Sequence, residues 1–364
     1  MLLLKFLTNR FKSIRSNFKQ ENKLSFTSST LFLAFTELFM VVLGILLALY
    51  IDRWNTSQNH KKQFEATLRI IQSDIENDIK SSESVIASYS SRDSLRHDVM
   101  LEKLDKEYYK KGISYWQKII VYYTTFNIKT NGYNLLVDMK EEVPEKYTSI
   151  HKKIKKLYAR IPIIDEYNKN FKKVIWDIKD ELSYTDWYWI DSYHGIISEK
   201  QIDFLMNDFY YKSLVQKVVN ASALLNVVAI NHRIEAINIY NEINDLLGVF
   251  EEPPKSLTYI TVDSLATKFT GKYKMAEGDV DQWFIKSYSK DSILEIGFKD
   301  NLLYLMSNGE HLRKLYYFNR SFNHPNYPIK KHHVFISGTG FFEFYKNGNL
   351  KIGAAGPHSI WEKL

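Results

Sequence analysis

Residues 31–51 read LFLAFTELFMVVLGILLALYI, an apolar run with a single carboxylate, Glu37. As a helix rising about 1.5 Å per residue, the run covers roughly 31 Å, matching a hydrocarbon core of about 30 Å. A cleaved signal peptide would need small residues after the run. Here Tyr50, Ile51, Asp52, Arg53 and Trp54 follow. Tyr50, Arg53 and Trp54 instead suit the polar–apolar boundary of a bilayer. The stretch therefore predicts one uncleaved signal-anchor span, with residues 1–30 as a tail and everything after residue 51 as the body.

The tail is basic. Lys5, Arg10, Lys12, Arg15, Lys19 and Lys23 stand against Glu21, so residues 1–30 carry a net +5 of the chain's +7. Leu3, Leu7, Phe11, Ile14 and Phe18 step by helical intervals, with Lys5, Lys12 and Lys19 opposite them. That pattern fits a basic amphipathic helix lying on the inner leaflet; a frayed basic stop signal is the other reading. The tail charge favours a cytoplasmic N-terminus, although the twenty residues on either side of the span hold equal numbers of Lys and Arg. The expected location is a bacterial inner membrane, crossed once, with the body extracytoplasmic. With so little charge excess left in the body, nucleic acid is not an expected partner.

Glu37 shares a helical face with Val41, Gly44 and Ala48, spaced by 4, 3 and 4 residues. Gly44 and Ala48 would let a second helix approach closely. An ionisable group in a span is shielded by protein or reaches water. Two readings stay open. The face packs on a second copy or on another membrane protein, or Glu37, near the start of the run, snorkels to inner-leaflet water.

Beyond the span, Phe64, Leu68, Ile71, Ile75 and Ile79 repeat at helical spacing, with Asp74, Glu76, Asp78 and Lys80 expected on a solvated face. Further helices are predicted from Pro144, with a kink or break at Pro162, and over 201–247, ending at Gly248. The expected domain at 52–250 is an antiparallel helical bundle. Glu251, Glu252, Pro253 and Pro254 open a linker at 251–264. Over 265–364 the period changes to that of strands: FTGKYKM, QWFIKSY, SILEIGF, NLLYLMS, LRKLYYF, HVFIS, FFEFYK and LKIGAA, with turn signals KDN, SNG and KNGN. The fold class predicted is α+β: a single transmembrane helix, an antiparallel bundle, then a small antiparallel β-barrel-like module.

Two stretches carry a resemblance. Glu37, the Gly44-Ile45-Leu46 step and Trp54-Asn55, together with KTNGYNLLVDMK at 129–140, are similar to a family of uncharacterised bacterial membrane proteins. The resemblance implies a membrane-anchored helical domain and no activity. FTGKY and FFEFYKNGNLKI resemble lipocalin-like β modules appended to exported proteins, which implies no catalytic role here.

Catalytic signatures are missing from the sequence. There is no cysteine, phosphate loop, HExxH or GxSxG. His232 with Glu235, and Asp191 with His194, are isolated pairs at a spacing of three; His324, His332 and His333 fall near prolines and read as a solvated loop. His232 is expected as a hydrogen-bonded core histidine, and SYTDWYWIDSYHG as an aromatic segment that packs on the bundle or meets a partner. No metal or cofactor is expected. The functional expectation is a non-catalytic, membrane-anchored body that works through protein partners. The alternative is a small apolar ligand, such as a lipid, bound inside the β module by Tyr273, Trp283, Ile285, Phe298 and Phe344.

Overall fold

The computed structural model describes residues 28–139, 143–248, 263–278, 293–307, 310–318, 333–337, 340–345, 347–353 and 358–364. The chain divides into two compact units, Met1–Gln63 and Phe64–Leu364. Most of the tail and most of the linker at 251–264 lie outside the described residues.

Helix α1 runs unbroken over Ser28–Met100, 73 residues. Among the described residues of the first unit it is the one element. Sixteen large apolar side chains from Phe32 to Trp54 are 41–70% exposed along it.

In the second unit the same helix becomes amphipathic. Phe64, Leu68, Ile71, Ile75 and Ile79 are all at most 2% exposed. Their 4-3-4-4 spacing keeps them on one stripe, which packs into a core with Tyr147, Ile150, Ile154 and Leu157. Short helices α2 (Lys106–Tyr109), α3 (Ile113–Ile120) and α4 (Asn131–Asp138) follow, then α5 (Thr148–Tyr158) and α6 (Ile161–Ser183). Pro162 stands in the first turn of α6, where its missing N–H removes no helical bond. It therefore starts a helix, and the kink or break foreseen there is a break. Helices α7 (Tyr188–His194), α8 (Glu199–Asn207) and α9 (Phe209–Leu247) complete the bundle. The single helix expected over 201–247 is interrupted at Asp208, whose side chain accepts from Tyr210 N and caps α9. Gly248 ends α9 with φ 67°, a left-handed conformation that glycine adopts without a Cβ clash.

After α10 (Asp263–Phe269), eight strands form a closed antiparallel barrel in which each strand pairs with its neighbours in sequence and β1 pairs with β8. They are β1 (Gly271–Gly278), β2 (Ile293–Lys299), β3 (Leu302–Ser307), β4 (Glu310–Phe318), β5 (His333–Ser337), β6 (Gly340–Phe344), β7 (Leu350–Gly353) and β8 (His358–Lys363). The turn signal KDN joins β2 to β3, with Asp300 and Asn301 both at positive φ, as a tight hairpin requires. QWFIKSY lies outside the described residues. The strand HSIWEK, absent from the expected set, closes the barrel instead.

Alternate residues of β4–β6 face opposite ways. Phe335, Phe342 and Phe344 join the barrel interior, whereas Phe318, Val334, Ile336 and Phe341 share a core with the helices. Tyr89 of α1 stacks on Phe341 with ring centroids 5.8 Å apart. The barrel is thus docked on the helical bundle through one flank.

Candidate functional sites

Among the described residues, two helices are long and apolar enough to cross a membrane. The most apolar window of the first, near the N-terminus, has mean hydropathy 2.5 and none of it is buried; that of the second, α9, has mean hydropathy 1.5 and is 61% buried. The difference is physical: α9 spends its apolar surface on the bundle core, while the first window is covered by no described residue. Val41, Gly44 and Ala48 are exposed along that stretch, as is Glu37. A Cβ added at Gly44 would meet no atom within 4 Å. Tyr50 and Trp54, the expected anchors, are 70% and 58% exposed, and Arg53 is exposed beside them.

Among the described residues, the barrel interior holds a core of buried aromatic and aliphatic side chains. Phe269 from α10 enters from one end and stacks on Phe344 at 4.4 Å, with Phe335 5.4 Å and Tyr273 6.2 Å from the same ring. Leu294, Ile296, Leu303, Leu305, Leu315 and Trp361 occupy the rest, each at most 1% exposed. Tyr273 and Phe344 therefore sit in one cluster, and Phe298 packs against it half-buried. Trp283 and Ile285 lie outside the described residues. The Tyr273 hydroxyl donates to Phe269 O at 2.7 Å, which holds the plug in place.

A polar seam runs between α1 and α9, and here two of the four residues expected on a solvated face are buried, while Lys80 is exposed as expected and Glu76 is half-buried. Asp74 is 4% exposed and Asp78 not at all. The seam pairs the helices antiparallel: Gln72 Nε2 donates to Asn244 Oδ1 at 2.6 Å, Asp78 faces His232, and Arg96 donates to Ser222 Oγ at 2.9 Å. Arg233 donates to Ile79 O at 3.0 Å, lies 3.9 Å from Glu83, and sits over the Phe318 ring of the barrel at 5.2 Å.

The two aspartates also hold a strap, the extended chain before α4, and the first turn of α4 that follows it. Asp78 Oδ1 accepts from Lys129 N at 2.7 Å, and Asp74 accepts from Gly132 N at 2.7 Å and Asn131 Nδ2 at 3.2 Å. Ser81 Oγ accepts from Asn127 N at 2.9 Å. From the other side, Asn168 of α6 brackets Phe126, accepting from its N–H at 2.8 Å and donating to its carbonyl at 2.7 Å. A segment with no strand partner thus places its backbone groups on side chains.

The isolated pairs separate. Glu235 bonds Arg160 at 2.8 Å while His232 turns inward to Asp78. Asp191 is buried and accepts from Ser198 N and Oγ at 3.0 and 2.6 Å, fixing the start of α8, whereas His194 is exposed. Trp187 of the same aromatic segment packs on Trp116 and Phe204, while Tyr184, Tyr193 and Phe209 are at least 80% exposed. A small cavity beside Arg92, Arg96, Thr124 and Ser222 has room for about one water. Among the described residues, no group of three or more His, Asp or Glu side chains could hold a metal ion. Compared with known proteins, the chain matches no family model and no curated protein.

Proposed function

We propose that the protein is a single-span protein of the bacterial inner membrane. In this reading its extracytoplasmic bundle and barrel act by contact with envelope or membrane-protein partners, without catalysis of their own. The observation that carries the reading is the run of sixteen exposed apolar side chains over Phe32–Trp54. At roughly 25 cal/mol per Å² of apolar surface, such a run is strongly driven out of water. The resemblance of residues 31–55 and 129–140 to membrane proteins of uncharacterised role agrees with it. The exposed rings of Tyr184, Tyr193 and Phe209 supply apolar surface for a partner on the body.

The face of Glu37, Val41, Gly44 and Ala48 belongs to the same reading, as the contact with a second copy or another membrane protein. Binding of a small apolar ligand by the barrel is the alternative, and the buried aromatic core among its described residues weighs against it.

The chain has no cysteine, so single cysteines can be introduced cleanly. Membrane fractions should retain the protein after alkaline carbonate extraction. A cysteine at Ser149 should react with a membrane-impermeant maleimide from the periplasmic side, and one at Ser16 should not. Recovery in the soluble fraction without detergent overturns the span, and the reverse labelling overturns the orientation. Bifunctional crosslinking from a cysteine at Val41, read by mass spectrometry, identifies what meets the span.

A further inference from the structure

The seam between α1 and α9 contains buried polar atoms that the fold leaves unsatisfied. His232 Nε2 lies 3.4 Å from Asp78 Oδ2, with both side chains 0% exposed. That separation is long for a hydrogen bond, and Asp78 Oδ2, both His232 ring nitrogens and the Tyr158 hydroxyl have no hydrogen-bond partner. Four such atoms in one locality are unusual, because buried polar groups are nearly always paired.

The charges around the pair are unbalanced. On α1 stand Asp74, Asp78 and Glu83, all at most 9% exposed; on α9 stands Arg233 beside His232. Tyr158 faces the two aspartates from α5, and the strap contributes the Lys129 N–H and the Phe126 ring, 5.2 Å from the imidazole. With three carboxylates ionised and the imidazole neutral, one arginine faces three negative charges. Leaving net charge in a water-free interior is costly.

We propose that Asp78 and His232 form a buried proton-binding site that tightens the α1–α9 seam as the medium becomes mildly acidic. One proton taken up from solvent and held between Oδ2 and Nε2 reduces the buried negative charge by one. No bond other than this proton's is made or broken. Burial drives the Asp78 carboxyl above its ordinary range, with the imidazole and the Lys129 N–H acting against it. An unfolded aspartate releases such a proton at about pH 4 and an unfolded imidazole at about 6.5, so acidification favours the folded chain where the buried pair binds the proton more tightly than a free imidazole does. The stability this contributes is present at low pH and is lost as pH rises through the folded-state value. Because α1 continues from the seam to Ser28, the site sits on the same helix as the apolar run.

The test uses the full chain in detergent micelles. Unfolding is followed from pH 8 to pH 5 for the native protein and for Asp78→Asn, which keeps the shape and can still accept from Lys129 N–H. The expected result is a native folded-to-unfolded ratio that itself rises on acidification, by up to about tenfold per pH unit, while that of the variant does not rise. Parallel pH profiles overturn the proposal and leave the four atoms to a trapped water. If the variant does not fold, hydrogen exchange of the native α9 amides decides. After correction for the intrinsic pH dependence, protection around His232 should rise on acidification, and unchanged or falling protection overturns the site.

Discussion

Gly132 lies against the backbone of Ile71. A Cβ at residue 132 would stand 2.7 Å from Ile71 N and 2.9 Å from its Cα, with the Ile71 Cγ1 at 2.6 Å. Backbone atoms in the middle of a long helix cannot step aside as a side-chain tip can. Gly132→Ala should therefore push α4 off α1 and strain the Asp74 bond to residue 132, at a cost of about 1–3 kcal/mol from overpacking. Denaturant unfolding of the purified chain measures it, and an unchanged midpoint would show that the strap shifts freely.

Arg233 of α9 meets three groups on two other elements: the Ile79 carbonyl and Glu83 carboxylate of α1, and the Phe318 ring of the barrel. Burial raises the Glu83 carboxyl, opposed by Arg233. Arg233→Met should cost about 3–5 kcal/mol, because it leaves a buried carboxylate without its cation. Glu83→Gln in the same chain should recover part of that loss. A double-mutant cycle read by thermal unfolding separates the pair from simple packing.

Trp361 is fully buried in the barrel, and its Nε1 donates to Ser359 Oγ at 2.8 Å. Trp361→Ala should cost about 3–5 kcal/mol. It should also open an apolar void. An environment-sensitive fatty-acid probe should bind the variant and not the native chain. Tight binding by the native protein would revive the ligand-carrying reading of the barrel.

Alkaline titration gives a fourth check. Burial, reinforced by the hydrogen bond to Glu65, pushes Tyr147 up to about 12; burial with the nearby Glu343 charge pushes Tyr345 up to about 12. Both folded values lie above the unfolded value near 10. The stability these groups contribute is present below pH 10 and disappears as pH rises toward 12. Phenolate absorbance should therefore show ordinary tyrosines titrating first, then a delayed class that ionises together with loss of the helical circular dichroism signal. A single titration near pH 10 with the fold intact would contradict the burial of these rings.

How far the sequence could be read depended on whether a residue's role was local. The 4-3-4-4 stripe from Phe64 to Ile79, the left-handed stop at Gly248 and the hairpin at Asp300–Asn301 are set by neighbours in the chain, and each was visible. Asp74 and Asp78 were misread because their partners are 51 to 58 residues away, in the strap and the first turn of α4, and for Asp78 also over 150 away in α9. Helical spacing places a carboxylate on a face; it says nothing about a second chain segment that later covers that face. HSIWEK was missed because its inward Trp361 follows a stretch rich in Gly and Pro, and its value as a strand comes from pairing with β1 and β7. HVFIS carried a usable signal: apolar residues on both faces of a strand mean two cores, one inside the barrel and one outside.

The pairing of β1 with β8 brings the first and last strands of the barrel side by side, and Leu364 N donates to Lys272 O at 2.9 Å. A closed sheet whose two ends meet can be moved between chains by a single genetic insertion, since neither end has to be threaded through the rest. What ties this copy to its bundle is the flank of Phe318, Val334, Ile336 and Phe341. A barrel grafted elsewhere would need a matching apolar face, or those four side chains replaced by polar ones.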